Sequence, residues 1–123
     1  MSLGRAYKGA NFTVKAEEAF NSAKNILISV FGEKSAKVCP PIYNLASLKL
    51  AQKKYAASAE LLEECLSLID VRNENFVEVQ GALAFNYLSL GRDKEALKAA
   101  SKAARIERKK LTLLSENKLD SDQ

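Results

Sequence analysis

Leu83-Ala84-Phe85-Asn86-Tyr87, followed downstream by Ala96, Ala100 and Ala103, is the stretch on which the reading of this chain turns. Thirteen residues separate Leu83 from Ala96, and seven more lead to Ala103. The spacing occurs twice earlier, as Leu45-Ala46 with Lys49, then Ser58, Leu62 and Cys65, and as Leu3-Gly4 with Tyr7, then Ala16, Phe20 and Ala23. Residues four apart share one side of a helix, so Leu83 with Tyr87, and Leu3 with Tyr7, predict a packed helical face. Small residues do the complementary job. Gly4, Ala46 and Ala84 let an antiparallel helix approach, while Ala16, Ser58 and Ala96 receive the large side chains opposite. Eight residues after each leucine stands Asn11, Lys53 or Gly91, where the chain has to turn. Glycine and asparagine suit the left-handed backbone of such turns; lysine does not.

This pattern resembles the tetratricopeptide repeat, with leucine, a small residue and tyrosine on a first helix, then alanine and phenylalanine on a second. The resemblance covers residues 3–106. The first interval, Leu3 to Leu45, is 42 residues, longer than the usual period of about 34. Its linker, from Phe31-Gly32 through Cys39-Pro40-Pro41 to Asn44-Leu45-Ala46, resembles that of kinesin-light-chain-like repeats. The second interval is 38 residues, and Asp70-Val71-Arg72-Asn73-Glu74-Asn75 carries neither glycine nor proline.

The fold implied is all-α, a right-handed α-α superhelix of three tetratricopeptide-like helix pairs. Helices are predicted near 3–10, 13–31, 40–52, 55–69, 75–90 and 93–114, grouped as repeats near 1–37, 38–74 and 75–114. The repeat domain then spans 1–114, and residues 115–123 read as a disordered polar tail. Only Met1 and Ser2 precede the first leucine, so the opening helix is short and the chain reads as a fragment of a longer array.

Composition narrows the function. The 123 residues are 47% hydrophobic, ample for one core, with a net charge of +4. There is no histidine, which removes the commonest general base and metal ligand. Two cysteines do not complete a four-ligand zinc site, and no glycine-rich phosphate loop occurs. The expectation is a protein that is not an enzyme and carries no cofactor or metal. No apolar run approaches the roughly 20 residues of a membrane span, and the start has no signal-peptide pattern, so a cytoplasmic location is expected. Cys65 occupies a small buried position in place of an alanine. Cys39, in a Cys-Pro-Pro helix start, reads as a linker residue that should react with a thiol reagent well before Cys65.

In the resembling family the first helices line a concave groove that grips a peptide or helical segment of a partner protein. Carrying the groove offsets onto this chain gives Tyr43, Asn44 and Ser47 from the second repeat. The third supplies Gly81, Ala82 and Phe85, and the first only Arg5. Asn44 offers both a donor and an acceptor to a peptide backbone. Clamps for the carboxyl end of heat-shock chaperones need a second asparagine and two basic residues. Here Arg5, Glu78 and Ala82 stand at those positions, and Glu78 would repel a carboxylate. Along the last helix Lys94, Lys98, Lys102, Arg105 and Lys109 align on one side. Glu95 and Glu107 interrupt that strip and no aromatic residue is interleaved, so a solvated face is expected rather than a nucleic-acid site. Leu111, Leu113 and Leu114 have no partner within three repeats. A further helix, or a second copy in a homo-oligomer, would cover them. The alternative reading is therefore a structural stacking unit of a larger assembly, with contacts through the solenoid ends.

Overall fold

The computed structural model describes the backbone of residues 2–121 and the side chains of residues 12–116. Five α-helices follow one another: α1 (Ser2–Phe31), α2 (Cys39–Ala51), α3 (Tyr55–Leu68), α4 (Phe76–Ser89) and α5 (Asp93–Ser121), with a 3-10 turn at Ala36–Val38 before α2. No strand occurs among the described residues.

The turn chemistry explains where helices stop. Gly32, at φ +95°, ends α1 while its N–H donates to the Ile28 carbonyl at 2.8 Å. Ser35 then caps the 3-10 turn by accepting from the Lys37 N–H, and Pro40 and Pro41 open α2 where no amide partner is needed. After α2 the Lys53 N–H donates to the Leu50 carbonyl and the Lys54 N–H to the Lys49 carbonyl. After α4 the Gly91 N–H donates to Leu88 and the Arg92 N–H to Tyr87. These are the same left-handed helix ending, 38 residues apart, with φ of 61° at Lys53 and 75° at Gly91. Lysine holds the left-handed position despite its Cβ. The 38-residue interval is thus visible in the backbone hydrogen bonds as well as in the sequence.

At Asn11 the expectation fails. No turn divides residues 3–10 from 13–31; α1 is one helix of 30 residues. No proline falls between Lys8 and Thr13, and Gly9 weakens a helix without stopping it, while a seven- or eight-residue segment has too little face to bury for a reversal to be worth its cost. Ala16 is accordingly half-exposed, because residues 3–10 do not fold back to pack on it, whereas Leu45, Leu83 and Ala96 are buried as expected. The last helix also runs longer than its predicted end at 114. With no glycine or proline after Gly91, α5 continues to Ser121, so residues 115–121 extend the helix; 122 and 123 lie outside the described residues.

Two contacts fix the register of α2 against α3. The Ser58 hydroxyl donates to the Ala46 carbonyl at 2.8 Å, and the Cys65 thiol to the Cys39 carbonyl at 3.6 Å. Both pairs are equidistant from residue 52, which requires two antiparallel helices. The core then forms from Ile42, Leu62, Cys65, Val79, Leu83 and Ala99, one layer from each of α2 to α5. Helix α1 joins through its second half, where Leu27 and Ile28 pack on this core. Glu17 pairs with Lys49 at 3.2 Å and Lys24 with Glu64 at 3.6 Å, tying α1 to α2 and α3.

Candidate interaction face

The seven sequence-derived groove residues fall on three helices. Arg5 lies in α1, and its side chain is outside the described residues. Tyr43, Asn44 and Ser47 occupy successive turns of α2, and Gly81, Ala82 and Phe85 those of α4. Asn44 is exposed and its side-chain amide makes no hydrogen bond among the described residues, so both its ends are open. Ser47 is exposed as well, but its hydroxyl turns back to donate to the Tyr43 carbonyl at 3.1 Å. Tyr43 is half-buried. Burial first, and then the charge of Glu78, hold its phenol above the ordinary tyrosine pKa, so α2 and α4 are within electrostatic reach of each other here.

On α4, Glu78, Ala82 and Phe85 follow spacings of four and three, and so lie along one side. Ala82 packs against the core. Phe85 is 52% exposed, with its ring 6.3 Å from that of Tyr55 at an interplanar angle of 60°. That tilted pair is an apolar, preordered platform in contact with water. Gly81 is exposed, with open space where a Cβ would stand. Residues with free polar ends and a large unburied ring are groups that can bind.

Beneath this face lies a buried polar chain that the sequence reading missed. The Asn86 Nδ2 donates to the Ser58 hydroxyl at 2.9 Å, and that hydroxyl donates to Ala46. Since a serine has one proton and gives it to the carbonyl, it can only accept from Asn86, which fixes the amide orientation. Asn86 is wholly buried, and its Oδ1 has no partner. The chain crosses α2, α3 and α4 and holds the candidate face in register. The signal was present: Asn86 stands seven residues after Val79 and three after Leu83, on the inward stripe of α4. Tyr55, the ring partner of Phe85, was missed too, because only spatial packing brings the start of α3 to it.

A second side-chain group braces the turn into α5. The Tyr87 hydroxyl donates to Glu63 Oε1 at 2.6 Å, the Arg92 guanidinium lies 4.6 Å above the Tyr87 ring, and Arg92 pairs with Glu95. Burial and the Glu63 contact push the Tyr87 phenol up to about 12.

The cysteine reading needs correction. Cys39 is as fully buried as Cys65, because Val38 and Cys39 turn inward from the 3-10 turn onto α3. The two side chains are neighbours in the core, and the Cys39 side chain first, then burial, pushes the Cys65 thiol far up. Cys39 is a core residue, not a reactive linker thiol.

Lys94, Lys98, Lys102, Arg105 and Lys109 are all exposed on α5. No described helix is long and apolar enough to cross a membrane, and no three histidine, cysteine, aspartate or glutamate residues cluster among the described residues. No protein-family profile, curated protein or solved structure matches the chain.

Proposed function

We propose that this chain is a non-catalytic, cytoplasmic interaction scaffold that binds a peptide or helical segment of a partner protein. The binding face is the one carried by α2 and α4. In this reading the helix pairs α2/α3 and α4/α5 are tetratricopeptide-like repeats, of kinesin-light-chain flavour, stacked with a right-handed superhelical sense. The recurrence of one helix ending at Lys53 and Gly91, 38 residues apart, supports that repeat relation. The observation that carries the function is Phe85, a large ring left more than half in water beside Tyr55, on the α4 side that Glu78 and Ala82 continue toward Tyr43. An aromatic anchor on α4 and an unpaired asparagine on α2 provide apolar area together with backbone hydrogen bonding.

The test is partner capture by the full chain. Asn44→Ala with Phe85→Ala should abolish capture while helicity and melting temperature hold, since both side chains are exposed. Lys98→Glu with Lys102→Glu should leave capture intact. The reverse pattern would move the working surface to α5. A second reading, a stacking unit of a larger assembly, is favoured by the exposed Leu111, Leu113 and Leu114 at one end and Phe12, Ile26 and Val30 at the other. Loss of capture in neither pair of variants would select it.

A further inference from the structure

We propose that the free end of α5 is a docking surface for an acidic amphipathic helix of another protein, separate from the face carried by α2 and α4. Helix α5 is 29 residues long and its neighbour α4 only 14. Ile106 and Phe76 line a common hollow of about 250 Å³ together with Val71, Lys102 and Arg105, which marks where α4 begins. Past that point α5 continues alone for about fifteen residues, ~22 Å at 1.5 Å per residue.

The inward stripe does not stop with its neighbour. Ala96, Ala99, Ala103 and Ile106 face the rest of the bundle, buried or half-buried. Leu113 falls seven residues after Ile106 and Leu114 eleven after Ala103, each within about 20° of the same direction. Yet they are 59% and 65% exposed. One face of one helix is thus a core face along one half and, along the other, an uncovered track on which Leu113 and Leu114 flank the exposed Lys110. The hollow at its root gives a first apolar anchor a place to enter.

Charge selects the occupant. Lys102, Arg105 and Lys109 border this track on one side, all are exposed, and none forms a salt bridge among the described residues; with Lys110 they outnumber the two carboxylates at the track, Glu107 on the other border and Glu116 at the end of the row. An apolar track one helix wide with a row of unpaired cations fits a helix that has leucine-like residues on one stripe and carboxylates beside it. A second copy of this chain does not provide that helix. Its one strongly acidic helix, α3, carries Glu60, Glu63 and Glu64, but the apolar face of α3 is already buried in its own core.

The experiment uses the full chain and a synthetic helix of about eighteen residues, long enough to fold on a surface, with leucines on one stripe and glutamates flanking them. A scrambled peptide of equal composition and a lysine-flanked version are the controls. Fluorescence anisotropy should show binding of the glutamate peptide alone, weakened about tenfold or more by Leu113→Asp and by Arg105→Glu with Lys109→Glu. The charge-reversed variant should gain binding of the lysine-flanked peptide. Amide exchange should slow across residues 106–116 when the peptide is added. These substitutions are at exposed positions, and circular dichroism verifies that the variants fold. The proposal is overturned if the glutamate peptide binds no better than its scramble, or if the variants bind as the original chain does. It is equally overturned if the residues 106–116 are instead protected by phosphatidylserine vesicles or by self-association that Leu113→Asp abolishes.

Discussion

Ser58→Ala tests the buried polar chain that joins α2, α3 and α4. Alanine fits the site, since the position already demands a small residue, so the loss is almost purely polar. Two bonds meet at the Ser58 hydroxyl, to Ala46 and from Asn86. The Ala46 carbonyl sits within α2 and keeps its helical environment, so its share is about 0.5–1 kcal/mol. Asn86 fares worse. Its Oδ1 is already unpaired, so losing Ser58 leaves a wholly buried amide with no partner, at about 1–3 kcal/mol. The expected total is about 2–3 kcal/mol, measured as a drop in the urea midpoint at unchanged slope. In an Asn86→Ala background the same substitution leaves no orphaned amide and should cost about 1 kcal/mol or less, giving a coupling of about 1–2 kcal/mol. Equal costs in both backgrounds would refute the network.

Three further outcomes follow from the turns, the thiols and Tyr87. At the left-handed positions, Gly91→Ala should destabilise by about 1 kcal/mol and Lys53→Gly should stabilise by several tenths, read from thermal melts; opposite signs would contradict the shared turn geometry. In native buffer both Cys39 and Cys65 should resist a thiol reagent and label together as urea unfolds the chain; selective native labelling of Cys39 would contradict its burial. Tyr87 should ionise near 12 in the folded chain against 10 for an ordinary tyrosine, seen by absorbance as pH rises. Because the folded value is the higher one, the stability linked to its proton is complete below pH 10 and is lost as pH climbs toward 12; Tyr87→Phe should remove that dependence.

Local signals that name their own structure were legible in the sequence. Gly91 marks a helix end, Pro40 and Pro41 a helix start, and Leu83, Tyr87 and Ala96 an inward face, whereas Ala100, expected on the same stripe, is exposed and Ala99 is buried in its place. The helices α2, α3 and α4 lie within about two residues of the limits expected from the spacing. Reading failed where a residue's role depended on what stood across from it. The spacing that places turns at Lys53 and Gly91 also points to Asn11, but with so short a segment before it the helix continues. The Cys-Pro-Pro sequence points to a linker residue at Cys39, although the 3-10 turn at Ala36–Val38 rotates it into the core. Of the candidate face, Asn44 and Phe85 are exposed, while the ring of Tyr55 and the bond between Ser58 and Asn86 come from pairings 28 or more residues apart.

The most direct test of the binding account is a photo-crosslinking residue placed at Ser47 in the full chain, with a matched placement at Lys94 on α5 as the control. Ser47 is exposed on α2, one turn after Asn44, so its replacement leaves the core packing untouched. A partner segment held on the α2 and α4 face should crosslink at position 47 and not at 94, and the crosslink should disappear when Phe85 is changed to Ala. Crosslinks at 94 alone, or crosslinks at 47 that persist in Phe85→Ala, would contradict it.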